Sequence, residues 1–361
     1  MDVYIDRADL HRGEIVETHA PALEPGQARL RVDAFALTAN NVTYAAIGDM
    51  LQYWTFFPAP DGWGRVPVWG YADVVESASD EVAVGTRVYG YLPMSDELVV
   101  TPGRVGPDDF TDTAPHRAPM AAAYNRYQVV PSAADRDADA EERQMLLYPL
   151  FFTSFLIDDA LADTGFSGAT VVVVSSASSK TAIGTAFQLR RRDVEVVGLT
   201  SAANRAFVEG LDLYDRVVTY DDLGSLGGGT AVYVDIAGNA DVKAAVHRHY
   251  GDDLAASLIV GDTHWDVDAA PSTEITGPAA TFFFAPDQIT KRNADWGREG
   301  LQAAVDEAWA AYTAWADGWL TITRRSGAEA ALATFAELVE NRADPATGFI
   351  VSMRPAGSPA G

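Results

Sequence analysis

The chain has no cysteine among its 361 residues, which excludes disulfides, thiolate metal sites and a cysteine nucleophile. Lysine is nearly as scarce, occurring only at Lys180, Lys243 and Lys291. Positive charge is in deficit overall: 26 Lys+Arg stand against 51 Asp+Glu, a formal net charge of −25. That field repels nucleic acid and anionic membrane, so neither is expected as a partner. Residues 1–14 lack the basic start and apolar run of a signal peptide, and no stretch reads as long enough for a transmembrane helix. A soluble, cytoplasmic protein is expected. The spacing of His116, His247, His249 and His264 suits no single metal site, so they read as surface or locally hydrogen-bonded histidines and no metal is expected.

Among what is present, residues 169–184 are the most informative, reading ATVVVVSSASSKTAIG. Val171 to Val174 make a wholly apolar, β-branched run of the kind buried in a parallel sheet. The run stops at Ser175, and from Lys180 a helical pattern begins, with Ile183, Ala186, Phe187 and Leu189 on one face. Strand, small-residue turn and helix together form an anion site, because helix N-terminal N–H groups and the helix dipole both favour negative charge. Ser176, Ser178, Ser179, Lys180 and Thr181 are therefore candidate phosphate ligands. The turn has no glycine before Gly184, unlike the dinucleotide fingerprint. An ordinary serine-capped turn without a ligand is the alternative.

A second strand, at residues 194–199, ends at Thr200 and Ser201, with Asn204 and Arg205 beyond. An acidic residue near this point binds the ribose of NAD, whereas the 2′-phosphate of NADP needs cationic or hydroxyl groups. No Asp or Glu lies between Gly198 and Ala206. The cofactor expected is NADP(H), with Thr200, Ser201, Asn204 and Arg205 as candidate contacts.

The first part of the chain reads as β-rich, with strands at 27–35, 65–77, 86–92, 97–100 and 127–130. Residues 131–142 are polar and acidic and read as a surface connection, followed by an apolar helix over 145–161. From Thr170, strands at 171–174, 194–199, 216–219, 231–235 and 257–260 alternate with helices, which predicts a doubly wound parallel sheet. A further amphipathic helix is predicted over 301–316, short strands at 320–323 and 348–353, and disorder at the PAGSPAG end.

The run GYADVVESASDEVAVGTRVYGYLP at 70–93, with Gly85, Arg87 and Val88, resembles a motif of the medium-chain dehydrogenase/reductase superfamily, especially its zinc-free quinone-oxidoreductase-like branch. ALTANNVTYAAIGD at 36–49, LDLYDRVVTYDD and VYVDIAGN resemble further elements of that family. Three departures mark a divergent branch: the glycine turn is replaced by SSASSKTAIG, Asn41 stands where proline is expected, and Thr43 where aspartate often lies.

The resemblance implies an α/β protein with a GroES-like β-rich substrate domain (residues 1–130 and 290–361) and a Rossmann-type domain (131–289). It implies a nicotinamide ring in a cleft between the domains, with Thr153 and Ser154 near the carboxamide and Gly261, Asp262 and Phe283 at the rim. A buried strand is the alternative for 282–284. It also implies a homodimer joined through the parallel-sheet edge, and substrate-facing residues among Asn41, Thr43, Tyr44 and Tyr53.

Polarising an oxygen needs a donor. Tyr44 leads, because a phenol donates and, with a lowered pKa, releases a proton. A core tyrosine is the alternative. Trp54, Phe56, Phe57, Trp63 and Trp69 suggest an aromatic pocket for a planar or apolar electrophile, or a core. The function expected is metal-free, NADPH-dependent reduction of an enone, quinone or carbonyl by hydride transfer. The alternatives are a non-catalytic NADPH-binding redox sensor and a scaffold.

Overall fold

A computed structural model describes residues 1–18, 21–132, 134–260 and 276–354. Gly261, Asp262, His264 and the PAGSPAG end therefore lie outside the described residues. The chain divides into two compact units, Met1–Leu146 with Thr321–Gly361, and Leu147–Leu320.

The first unit is built on an antiparallel sheet whose central strands are Ala28–Leu37, Pro67–Ser77 and Arg87–Pro93. Gly85 turns the chain between the last two at φ +90°, a conformation glycine adopts without steric cost. Arg126–Val130 continues the sheet on one side, and Thr347–Ser352 pairs with Ala28–Leu37 on the other. Thr321–Ser326 then runs parallel to Thr347–Ser352, so the last part of the chain completes the sheet begun by the first. Helix α1 (Ala39–Ala46) leaves the Ala28–Leu37 strand through a reciprocal capping box. Asn40 N–H donates to Thr38 Oγ1, and Asn41 Oδ1 accepts from Thr38 N–H at 2.8 Å.

Two expectations are corrected by helix α2 (Ala138–Asp163). Its first turns take up part of the acidic stretch predicted as a surface connection, and Glu141 and Glu142 are buried. They are buried because each meets an arginine: Arg87 is bidentate on Glu141, and Arg324 bonds Glu142. Moreover, α2 spans 26 residues and is apolar enough to cross a membrane by length and composition. Within its apolar window 67% is buried inside the protein, as in a core helix.

The second unit carries a parallel sheet in the order Arg216–Thr219, Glu195–Thr200, Val171–Val174, Ala231–Asp235, Leu254–Ile259, Thr281–Phe282. The four valines of Val171–Val174 are all buried, as a strand covered on both faces requires. Helices α3 (Lys180–Leu189), α4 (Arg205–Gly210) and α5 (Ala240–Tyr250) connect the strands. α6 (Ala285–Ala316) is longer than the predicted 301–316 segment, and α7 (Ala328–Val339) lies in the first unit. The fold is thus α/β, one β-rich antiparallel unit and one doubly wound parallel sheet, as the sequence predicts.

Strand order reverses between Val171–Val174 and Ala231–Asp235. In open α/β sheets, ligands bind beyond the carboxyl ends of the strands at such a reversal.

Candidate functional site

The turn after Val174 sits at that reversal, and its first serine braces it. Ser175 is fully buried and its Oγ donates to Asp235 Oδ1 at 3.0 Å. The same Oγ accepts from the N–H groups of Ile236 and Ala237, both at 2.9 Å. Asp235 Oδ1 also accepts from Tyr233 Oη and Gly238 N–H, while Oδ2 is buried without a partner among the described residues. Burial pushes the Asp235 carboxyl up, against these stabilising donors. No sequence pattern relates Ser175 to Asp235, which lie 60 residues apart.

Ser176 holds φ +54°, the left-handed region that a fingerprint glycine enters freely. For a non-glycine residue this costs about 1–2 kcal/mol and is retained where surrounding contacts enforce it. Those contacts are Ser176 N–H on Tyr220 Oη at 2.9 Å and Ser179 N–H on Ser176 O at 2.7 Å. Burial pushes the Tyr220 phenol up to about 12, so it remains protonated. Ser179 caps α3, accepting from Ala182 N–H at 3.2 Å. Lys180 and Thr181 follow in the first turn, where backbone N–H groups lack intrahelical acceptors.

The two candidate phosphate segments are joined directly. Asn204 Nδ2 donates to Ser178 Oγ at 3.0 Å, and Ser201 Oγ accepts from Asn204 N–H. Thr200 Oγ1, at the end of the second strand, is buried without a partner among the described residues. Arg205 instead pairs with Glu209 one turn along α4, and both are about half exposed. Thr153 Oγ1 donates to Pro149 O, and Ser154 Oγ to Leu150 O and to Thr181 O, so Ser154 ties α2 to the start of α3. Phe283 N–H bonds Ile259 O, but Phe282 and Phe284 are 48% and 37% exposed. The buried-strand reading of this segment is therefore overturned. Gly261, predicted at the cofactor rim, is outside the described residues.

In the first unit, α1 and the following turn Tyr53–Thr55 bring Tyr44 and Tyr53 together, ring centroids 4.7 Å apart. Trp69 Nε1 donates to Tyr44 Oη at 3.3 Å. Burial, then repulsion from Tyr53, raises the Tyr44 pKa well above that of a free phenol. The lowered pKa expected for proton release is thereby corrected: Tyr44 keeps its proton, and its oxygen accepts from Trp69. Asn41 is buried with both ends of its amide in use, Nδ2 donating to Pro67 O at 2.9 Å. Trp54, Phe56 and Phe57 are buried core residues, whereas Trp63 and Trp69 are partly exposed. His247 is buried, held between Thr276 O and Ser257 Oγ. Among the described residues no group of three His, Asp or Glu has metal-site geometry.

A family model described as "Protein of unknown function (DUF2855)" matches residues 35–344. No curated protein matches the sequence. The fold is shared with CurA from Vibrio vulnificus solved in complex with NADPH (13% identity, 95% of this chain and 94% of that one, TM-score 0.62). It is shared also with the Pseudomonas syringae quinone oxidoreductase (15%, 97% and 99%, 0.58). A third is the yhdH oxidoreductase from Salmonella enterica in complex with NADP (14%, 98% and 99%, 0.54).

Proposed function

The chain belongs to the DUF2855 family, and we propose that it is a metal-free, NADPH-dependent reductase acting by hydride transfer on an enone, quinone or carbonyl. It would be a divergent member of the quinone-oxidoreductase-like branch of the medium-chain dehydrogenases. The observation that carries this reading is the serine turn at the sheet's strand-order reversal, fastened by Asn204 to the end of the second strand. Proteins of the same fold solved with NADPH or NADP support it.

The residues present fit such a dinucleotide. Thr200 Oγ1 is an orphaned hydroxyl where a ribose would lie, and the first turn of α3 offers its N–H groups to a phosphate. Lys180 supplies a cation in that turn for the 2′-phosphate. Arg205 pairs with Glu209 in an exposed i,i+4 contact, which contributes little and releases readily. When bound, NADPH supplies the hydride. Tyr44 and Tyr53 hold the substrate oxygen by hydrogen bonds, and Asn41 fixes α1 through its cap. We extend the proposal to a homodimer along the edge strand Thr281–Phe282, where exposed Phe282 and Phe284 would be covered.

A second reading is a protein that binds NADPH and signals redox state without turnover. It is favoured by the raised Tyr44 pKa and the fully engaged Asn41 amide, neither of which is tuned as an acid. Calorimetric titration of the purified chain with NADPH and NADH tests both. Selective NADPH binding followed by its oxidation with an electrophile supports the reductase. Binding without turnover across a broad electrophile panel favours the sensor, and binding of neither nucleotide removes both.

A further inference from the structure

A cavity of about 660 Å³ lies within the first unit, and neither Tyr44 nor Tyr53 lines it. That volume is in the range of small-molecule sites, about 300–1,000 Å³. Strand pairing builds its charged end. Asp2 bridges to Ser95, and Asp96 N–H donates to Met1 O at 3.0 Å, so the start of the first strand brings Asp2 beside Asp96 and Glu97. Arg65 follows the strand Trp63–Gly64, which pairs with that same first strand, Asp2–Asp6. Pro58, Leu98 and Val99 give the cavity an apolar side that is only partly covered, backed by buried Phe56 and Phe57.

Most charges around the cavity are already committed. Asp112 accepts from Thr101 N–H, Ala114 N–H and Arg117, and Asp96 pairs with the Met1 ammonium at 2.8 Å. Arg29 donates to Glu76 Oε2 at 3.0 Å and to Pro21 O at 2.7 Å, and Arg65 to Pro58 O at 2.9 Å. The exposed His116 turns Nε2 to Phe56 O. Two carboxylates stand apart. The Asp2 side chain is 8% exposed and hydrogen-bonds the Tyr4 hydroxyl, but Arg65 Nη1 stays 3.6 Å away, beyond hydrogen-bond reach. Glu97 meets Arg29 in a long contact of 3.4 Å and is 39% exposed. An ionised carboxylate accepts about four hydrogen bonds, so both line the cavity with acceptor capacity left. What fits them is a donor, and the chain's formal net charge of −25 selects a cation over an anion.

We propose that this cavity binds a primary ammonium carrying an apolar body, an aryl- or alkylamine. The ammonium, with three donors, is held by Asp2 and Glu97 through charge-assisted hydrogen bonds. Its body covers Pro58, Leu98 and Val99, removing partly exposed apolar surface from water. The site shares no binding residue with the reductase reading and stands independently of it.

The probe is phenethylammonium, titrated calorimetrically into the full chain at neutral pH in about 0.15 M salt, where charges are screened beyond about 8 Å. Wild-type protein is expected to bind one equivalent, and to bind neither phenylacetate nor phenethyl alcohol, which keep the ring and replace the cation. Asp2→Asn and Glu97→Gln keep the side-chain shape and remove one charge. Each should weaken binding about tenfold or more, with the fold checked by circular dichroism. Glu97 is partly exposed, so its variant reads the site even where Asp2→Asn fails to fold. Asp212→Asn, on the second unit with a side chain 98% exposed, should bind normally. Absence of saturable binding by the wild type, or equal affinity for phenylacetate or phenethyl alcohol, overturns the proposal. So does unchanged affinity in folded Asp2→Asn or in Glu97→Gln, or an equal weakening in Asp212→Asn. Because no nucleotide is present, failure to bind NADPH would sink the reductase reading alone, and failure to bind phenethylammonium would sink this one alone.

Discussion

Asn204 Nδ2 donates to Ser178 Oγ at 3.0 Å, across 26 residues of chain. The bond fastens the turn after the first parallel strand to the residues following the second. It holds the turn's geometry without the glycines that usually shape such turns. Asn204→Ala should release Ser178. A side-chain hydrogen bond of this kind is worth about 1 kcal/mol, so NADPH affinity should fall about fivefold by calorimetry, with fold retained by circular dichroism. Unchanged affinity would detach this bond from the site.

Lys180 opens α3 directly after the serine cap. If its ammonium meets the 2′-phosphate, Lys180→Ala loses a charge-assisted contact present for NADPH and absent for NADH. The expected result is an NADPH Kd raised about tenfold or more, with little change for NADH. Equal losses would move Lys180 to the shared pyrophosphate, and no loss would remove it from the site.

Asp235 gives a pH dependence of known sign. Burial raises its folded pKa above the unfolded carboxylate value of about 4. The stability this group contributes is therefore complete below that range and is lost as pH rises through the folded value. The Asp235→Asn variant cannot titrate here. Subtracting its Tm-against-pH curve from that of the wild type should leave a difference that falls with rising pH. A flat difference would mean that the carboxyl is not perturbed.

Arg87 is buried between Asp33, Asp73 and Glu141. Burial alone would raise the Asp33 carboxyl, but the hydrogen bond and charge of Arg87, with Arg136 and Arg354, hold it below the ordinary range. Arg87→Met leaves three crowded carboxylates without their shared cation. Breaking a buried pair costs about 3–5 kcal/mol, which should lower the Tm by roughly 10 °C. Stability from Asp33 is present above the ordinary carboxylate range in the wild type and lost on acidification. The variant should lose less on acidification, since protonation relieves its repulsion.

The parallel sheet was legible because Val171 to Val174 leave no choice: four β-branched residues before a serine turn make a buried strand. The Ser178 and Asn204 pairing was half legible, as two polar turns with no stated contact. The start of α2 was not, since the acidic residues before Met145 look solvated until Arg87 and Arg324 are brought to them by the sheet. The cavity beside Asp2 was invisible for a related reason. No spacing relates positions 2, 65 and 97, and only strand pairing gathers them. The sign of the Tyr44 shift is likewise set by burial, which its neighbours in sequence do not reveal.

The Ser175–Asp235 bond joins residues 60 apart in the chain. During synthesis the whole serine turn emerges long before its brace, and closing so long a loop is slow relative to local structure. A chain stopped short of Ala231 would carry every serine of the turn and still lack the carboxylate and the two N–H groups that set it. A ligand that needs the turn in this geometry would therefore bind only after the strand Ala231–Asp235 has docked beside Val171–Val174.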